Sequence, residues 1–133
     1  MRREFQVPSD LSQIRKTSDS VMRFLKPLGL NEAVVFDIRL CLEEALVNAM
    51  KYGNNLQSHI PVQLAVEYNR ERISIAVQDH GSGFDLGELA DCTHEDNLLK
   101  AHGRGVFLIH QLMDSVRYNE KGNGLLMVKS LRG

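Results

Sequence analysis

The spacing of apolar residues changes near the middle of this chain, and that change constrains the fold more than any other feature of the sequence. Between Asn31 and Tyr52 apolar side chains recur every three or four positions, as on the buried face of a helix. From Val62 to Val77 they alternate with polar side chains, as in strands with one buried face. The chain therefore has to pack at least one long helix against a β-hairpin.

The segment before that helix predicts a strand and a further helix. Residues 2–7 predict a short strand that ends at Pro8, and the apolar positions of 11–28 recur mostly at helical spacing. The residues suited to the two ends of this first helix are Ser9 or Asp10 at its start and Pro27 and Gly29 at its close. The second helix begins at the N-cap Asn31 and stops at Gly53.

The second half of the chain predicts a hairpin, a smaller helix and two more strands. The hairpin strands lie around 62–66 and 73–77. The remaining predictions are a long loop, a short helix and a final pair of strands, at residues 80–102, 104–113, 115–119 and 124–131. The order β-α-α-β-β-loop-α-β-β is typical of an α+β fold, here a two-layer α/β sandwich whose mixed, mostly antiparallel sheet carries its helices on one face. We expect a single domain over residues 1–133.

The composition and charge of the chain exclude several classes of protein. Hydrophobic residues make up 43% and charged residues 25% of the 133 positions, which is typical of a soluble globular domain. The 16 basic residues are balanced by 17 acidic ones and form no run, so we expect no direct binding of nucleic acid. Because no stretch has the length and apolarity of a membrane span or a signal peptide, we expect no membrane contact and a cytoplasmic location.

The two cysteines do not form a disulfide framework. Cys41 belongs to the apolar pattern of the second helix and is expected in the core, whereas Cys92 lies among polar residues and has no clear role. Cys92 and His94 have the spacing of half a zinc site, but the sequence offers no obvious second half. We therefore expect no zinc centre.

The first of three polar clusters lies on the second helix. Glu44 and Asn48 are four residues apart and so share one helix face, which Lys51 and Tyr52 continue one turn further on. A carboxylate beside a carboxamide can orient a water or hydroxyl group and hold a hard cation through oxygen. The alternative is a solvated face on which Glu44 merely pairs with other polar groups.

The second cluster, DHGSGF at residues 79–84, follows directly on a predicted strand. An aspartate at the end of a strand can accept a hydrogen bond from an exocyclic amine. Gly81 and Gly83 allow the backbone to approach a flat or charged ligand. The alternative is a tight turn without a ligand.

The third cluster is at residues 103–109, where Gly103 and Gly105 open the short helix directly after the loop. Free backbone N–H groups at a helix N-terminus bind anions, and glycines let a phosphate approach them. The alternative is a hinge between the loop and the helix.

Other nucleotide-binding motifs are missing from the sequence. There is no G-x-x-x-x-G-K-[ST], which excludes a P-loop, and Leu86 stands where G-x-G-x-x-G needs its third glycine. The three clusters therefore have to be considered together, in their order along the chain.

Together the clusters resemble the N, G1 and G2 boxes of the GHKL ATPase superfamily, and the order of elements resembles its Bergerat fold. The matching stretches are Glu44-x-x-x-Asn48-Ala49, Asp79-x-Gly81-x-Gly83-Phe84 and Gly103-x-Gly105-x-x-Leu108-Ile109. Within the superfamily the chain is most similar to the stand-alone anti-sigma factor serine/threonine kinases. It has the size of their catalytic domain alone, and a strand and a helix precede the N box.

The resemblance implies ATP and Mg²⁺ as cofactors and a role for each residue of the boxes. Glu44 would be the catalytic general base, Asn48 would ligate Mg²⁺, and Asp79 would accept a hydrogen bond from the amino group of adenine. The other residues that the resemblance implies in nucleotide binding are Lys51, Tyr52, Gly81, Gly83, Phe84, Lys100, Gly103, Arg104, Gly105 and Val106.

Two positions depart from the pattern of the superfamily. Many relatives have Gly-Thr before the last strand, where the threonine holds adenine through water, and this chain has Gly124-Leu125 instead. The arginine that the anti-sigma kinases bring to the γ-phosphate has Lys100, His102 and Arg104 as its candidate replacements.

The resemblance implies phosphorylation of a STAS-domain anti-anti-sigma protein and binding of a sigma factor or a similar regulator. It also implies a homodimer, and Phe5, Val21 and Phe24 are candidates for either partner contacts or core packing. The alternatives are a histidine-kinase-like catalytic module acting in trans and a non-catalytic, nucleotide-dependent partner-binding module. The histidine kinase is disfavoured because the sequence predicts no separate pair of helices with a phosphoacceptor histidine.

Overall fold

The computed structural model describes residues 1–81 and 101–131, and of 101–104 it describes the helical backbone alone. Within these residues the strands β1 to β5 are Arg2–Val7, Val62–Tyr68, Arg72–Gln78, Ser115–Tyr118 and Gly124–Ser130. The helices α1 to α3 of the same part of the chain are Ile14–Leu25, Glu32–Asn48 and Ala101–Leu112. These elements follow the predicted order, and no helix among the described residues is long and apolar enough to cross a membrane.

The strands form one five-stranded sheet in the order β1-β2-β3-β5-β4. Each pair of neighbours in the described sheet is antiparallel. The register places Val66, Ile75 and Met127 side by side across three strands. The prediction of a mostly antiparallel sheet is therefore confirmed, and no parallel pair adds to it in the described strands.

One face of the sheet is buried under the helices. Val66, Ile75 and Met127 have no exposed surface, and they share one core cluster with helical side chains such as Ile38. Along β5 the neighbouring Leu126 points to the opposite face, where 38% of its surface is exposed. The predicted α+β sandwich, with its helices on one face of the sheet, is confirmed.

The helix ends in the first half of the chain follow local capping chemistry. Asn31 caps α2, because its side-chain oxygen accepts a hydrogen bond from the N–H of Val34 at 2.9 Å. Gly29 adopts a φ of 61°, a left-handed conformation that favours glycine after a helix. Asp10 caps a 3-10 turn, Leu11–Gln13, so α1 begins after this turn and later than predicted.

The two helices nearest the predicted boxes differ from their predicted bounds. Beyond Asn48, α2 continues as one π-helical turn, Ala49–Gly53. The sequence predicts that α3 starts near residue 104, but the helix begins at Ala101. The glycines Gly103 and Gly105 therefore lie within its first two turns and do not precede it.

Side chains that the sequence left open between the core and other roles belong to the core. Val21 is fully buried, and Phe5 and Phe24 pack against the core as partly buried side chains. Cys41 is fully buried, as predicted. Cys92 lies outside the described residues.

Candidate nucleotide-binding site

A pocket lies between α2, the end of β3, α3 and the turn that joins β4 to β5. Its walls include the apolar side chains of Val77 and Ile109, and its polar lining includes Asn48, Asp79 and Asn123. Apolar walls with a few converging polar groups are typical of small-molecule sites. The sequence predicted two of these three polar residues.

Helix α3 places Gly105, which has no side chain, against the face of α2 that carries Glu44 and Asn48. A Cβ atom added to Gly105 would lie 2.6 Å from Oε2 of Glu44 and 3.3 Å from Nδ2 of Asn48. The two side chains are each partly buried and therefore converge on one point of α3. The prediction that they share a helix face is confirmed, and a fully solvated face does not describe them.

The π-helical turn alters the geometry that the sequence predicts for Lys51 and Tyr52. A π-helix closes i→i+5 hydrogen bonds, so it turns the chain less per residue than an α-helix does. Lys51 is exposed, and its Nζ lies 6.0 Å from the ring centroid of Tyr52, which is 44% exposed. Neither residue is among the described residues that line the pocket. Their part in nucleotide binding stays a prediction.

Asp79 lies at the end of β3, where only 8% of its surface is exposed. Its Oδ1 accepts a hydrogen bond from the N–H of Gly81 at 2.7 Å. Burial raises the pKa of the Asp79 carboxyl, and the Gly81 N–H and the nearby His80 act against this rise. The site therefore holds a buried carboxylate whose charged form is stabilised by one backbone donor.

Two glycines pack tightly around this carboxylate. A Cβ atom on Gly53 would overlap the Asp79 carboxyl group, and one on Gly81 would lie 2.5 Å from the carbonyl oxygen of Gly53. Gly81 therefore packs against protein backbone, and its predicted approach to a ligand stays a prediction. Gly53 was predicted only as a helix stop, because its contact with Asp79 comes from a strand far along the chain.

Part of the predicted phosphate site lies at the start of α3. The first four N–H groups of a helix lack intrahelical acceptors, and in α3 they belong to residues 101–104, which include Gly103 and Arg104. Val106 is 2% exposed and lines the pocket. The predicted residues Gly83, Phe84 and Lys100 lie outside the described residues.

Asn54 is a buried polar residue behind the site that the sequence placed only in a loop. It is 3% exposed, and its Nδ2 donates to Oγ of Ser9 at 3.0 Å and to the carbonyl oxygens of Ile60 and Pro61. Its Oδ1 accepts the N–H of His80 at 2.8 Å. The side chain thus ties the end of α2 to the residue that follows Asp79. The Gly-Asn-Asn run after α2 is its only sequence signal.

Comparison with known protein families agrees with this fold. The model of the histidine kinase-like ATPase domain matches residues 7–129. The chain belongs to the histidine kinase-like ATPase domain family. The resemblance of its three clusters to the GHKL boxes is thereby confirmed at the level of the family.

Several similar proteins are named serine-protein kinase RsbW. The protein of that name from Staphylococcus epidermidis is 28% identical over 138 residues, which cover 97% of this chain and 86% of the relative. Its namesake from Oceanobacillus iheyensis is 24% identical over 131 residues, covering 94% and 83%. The namesake from Listeria monocytogenes is 27% identical over 110 residues, covering 76% and 69%. The similarity to proteins named serine-protein kinase therefore extends over most of the chain.

Proposed function

We propose that the protein is an ATP-binding anti-sigma regulatory factor with protein serine/threonine kinase activity. It phosphorylates a STAS-domain anti-anti-sigma partner and binds a sigma factor or a similar regulator. The observation that carries the proposal is the convergence of Glu44 and Asn48 on Gly105, beside a pocket that also holds the buried carboxylate of Asp79. The serine-protein kinase names of the relatives support the same reaction.

Asp79 is suited to recognise the base of ATP. Its Oδ1 is occupied by the Gly81 N–H, whereas Oδ2 accepts no hydrogen bond from the part of the chain that the structure describes. An ionised carboxylate can only accept hydrogen bonds, so Oδ2 matches the exocyclic amine of adenine. A buried acceptor of this kind favours a base with a donor over a base with a carbonyl at the same position.

Glu44 is suited to act as the general base of the transfer. Its carboxylate would accept the proton of a serine or threonine hydroxyl on the partner protein. The hydroxyl oxygen then bonds to the γ-phosphorus while the bond to the bridging oxygen breaks, and ADP leaves. Because Glu44 is only partly buried, a partner protein can approach its carboxylate.

The donor set fits a single Mg²⁺ that is held largely by the nucleotide. Asn48 has a carboxamide oxygen that could ligate the ion, and its side chain lies near the Glu44 carboxylate at Gly105. Mg²⁺ is usually held by one or two protein oxygens together with substrate phosphates and water. When bound, the ion would neutralise charge on the phosphates.

The phosphate contacts are assigned to the start of α3 and to nearby cations. Gly103 and Arg104 belong to the first turn, where free N–H groups favour an anion, and Gly105 follows them without a side chain. Lys51 is exposed at the end of α2, and Lys100 immediately precedes α3 in the sequence. Their charges would complement the triphosphate.

Calorimetric titration with ATP, with and without Mg²⁺, tests the binding step. We expect Mg²⁺ to tighten binding to the wild type, Asp79→Asn to lose most of the affinity and Asn48→Ala to lose the dependence on Mg²⁺. Asp114→Asn is the matched control, because its exposed carboxylate contacts the N–H of Ser130 and lies outside the pocket. Failure of the wild type to bind millimolar ATP would contradict the proposal.

Transfer of labelled phosphate from ATP tests the kinase step. The acceptors to use are STAS-domain proteins purified from the same organism, and we expect serine or threonine phosphorylation of at least one. Binding of ATP without transfer to any of them would favour the non-catalytic partner-binding module. Acid-labile phosphate on a histidine of another protein would favour the histidine-kinase-like alternative.

A further inference from the structure

The turn between β4 and β5 contacts the segment that carries the base-recognition carboxylate. The backbone carbonyl of Asn123 accepts the N–H of Asp79 at 2.9 Å. The side-chain Nδ2 of Asn123 donates to the carbonyl oxygen of Gly81 at 3.1 Å. Asn123 therefore holds this segment through residues on both sides of His80.

The hydrogen bond from Asn123 to Gly81 also acts on the Asp79 carboxylate, because Gly81 in turn donates to that carboxylate. The N–H of Gly81 donates to Oδ1 of Asp79 at 2.7 Å, so the position of Gly81 sets the direction of this carboxyl group. Gly81 also packs closely on Gly53. Backbone packing on Gly53 and the Asn123 hydrogen bond together fix the donor that orients Asp79.

Asn123 has a defined orientation of its own. Its Oδ1 accepts from Nδ2 of Asn119 at 2.8 Å, and its N–H donates to Oδ1 of Asn119 at 3.1 Å. Asn119 in turn reaches Oε1 of Gln78 at 3.3 Å. Because each end of the Asn123 carboxamide has a partner, its Nδ2 is directed at Gly81.

We propose that Asn123 is a positioning residue for base recognition, which aims the Asp79 carboxylate at the exocyclic amine of an adenine nucleotide by fixing Gly81. The inference rests on the proposed binding of ATP at Asp79. It adds a specificity-determining residue from the β4–β5 turn, outside the three sequence clusters.

The mechanism predicts an effect that depends on the amine of the base. The test compares ATP with purine riboside 5′-triphosphate, which lacks the 6-amino group, by calorimetry on the wild type and Asn123→Ala. We expect Asn123→Ala to weaken ATP binding roughly five- to tenfold, the scale of one hydrogen bond between neutral groups. Binding of the analogue should change by less than about twofold, since Asp79 has no amine to meet there.

Asn123→Asp and Asn69→Ala complete the experiment. Asn123→Asp keeps the size of the side chain but its carboxylate cannot donate to Gly81, so the ratio of ATP to analogue affinity should fall here as well. Asn69 holds the β2–β3 turn through the N–H groups of Glu71 and Arg72, so Asn69→Ala should leave the ratio unchanged. Circular dichroism spectra show whether each variant is folded.

Three outcomes separate this inference from the proposed function. Equal weakening of ATP and the analogue in the Asn123 variants would overturn the inference, because it would indicate general damage or contact with the sugar and phosphates. Unchanged affinities of the Asn123 variants for both ligands would also overturn it, while leaving the proposed ATP binding intact. Failure of the wild type to bind ATP would instead contradict the proposed function, and the inference with it.

Discussion

Glu44 and Gly105 approach so closely that a single methyl group on Gly105 would lie 2.6 Å from the carboxylate oxygen Oε2. The contact joins the middle of α2 to the second turn of α3, two helices that are far apart in the sequence. Glycine is the least stabilising residue in a helix interior apart from proline, so its presence in α3 costs about 1 kcal/mol relative to alanine. The Glu44 carboxylate occupies the space that a side chain at position 105 would fill.

Gly105→Ala is therefore expected to reduce phosphate transfer by at least roughly tenfold while the protein stays folded. The added methyl group has to displace the Glu44 carboxylate, which lies at the end of a flexible side chain, and a general base out of reach of the hydroxyl loses its effect. Phosphate transfer to a STAS-domain acceptor tests the loss of activity, and the midpoint of thermal unfolding tests whether the protein stays folded. In a Glu44→Ala background the same change should stabilise the protein by about 1 kcal/mol. Unchanged transfer would contradict the prediction.

Glu44→Gln is expected to retain ATP affinity and to lower transfer by roughly 10²- to 10⁴-fold. Glutamine keeps the size of the side chain but cannot accept the hydroxyl proton. Glu43→Gln is the matched control, because Glu43 accepts a hydrogen bond from Ser18 on α1 at 3.0 Å and is not the carboxylate at Gly105. Steady-state transfer and calorimetric affinity are measured on both variants. A similar loss in the Glu43 variant would contradict the assignment.

The sequence predicts those parts of the fold and site that depend on neighbours along the chain. The shared face of Glu44 and Asn48 follows from helical spacing, and the N-cap at Asn31 follows from residue type. The roles of Gly53 and Asn54 depend on contacts with Asp79 and with other distant segments, so no local pattern reveals them.

The exact ends of the helices near the site also could not be predicted from local sequence. Local spacing cannot distinguish a last α-helical turn from the π-helical turn Ala49–Gly53, because their hydrogen bonds differ in span by a single residue. Glycines favour a helix start at residue 104, yet α3 begins at Ala101. The close packing of Gly105 on Glu44 explains why a glycine occurs inside this helix, where its intrinsic propensity is low.

Asp79→Asn is expected to stabilise the nucleotide-free protein at neutral pH. Burial raises the pKa of this carboxyl above its ordinary value of 3.8, so the folded state binds the proton more tightly than the unfolded state does. The contribution of Asp79 to stability is therefore most favourable below that value and is lost as the pH rises through the folded pKa. Urea unfolding of the wild type and the variant across a pH series measures the difference.

The difference in the free energy of unfolding between Asp79→Asn and the wild type should disappear as the pH falls to about the ordinary carboxyl pKa. The asparagine introduced by this change can still accept the Gly81 hydrogen bond through its side-chain oxygen, so the fold around β3 is retained. Asp114→Asn, at an exposed carboxylate, should give no comparable gain. A variant less stable than the wild type at neutral pH would show that the hydrogen bond to the charged form outweighs burial.

Asn54→Ala is expected to destabilise the protein by about 1–3 kcal/mol, because it removes the hydrogen bonds of a buried side chain. The His80 N–H loses its 2.8 Å acceptor, and Oγ of Ser9 loses a donor at 3.0 Å. Asn55→Gly is the control, since Asn55 is exposed and has a φ of 52° that glycine adopts easily. Urea unfolding should separate the two variants clearly. Equal stabilities would contradict the buried role of Asn54.

The Cys41 thiol is expected to resist alkylation in the folded protein. Burial in the core and the nearby Asp37 raise its pKa to about 12, so very little reactive thiolate exists near neutral pH. Cys92→Ser leaves Cys41 as the only cysteine, which allows its reaction with iodoacetamide to be followed by mass spectrometry at about pH 8. Labelling should be rapid in guanidinium and limited by unfolding without it. Rapid stoichiometric labelling of the native variant would mean that the α2 face packed into the core opens far more readily than its full burial implies.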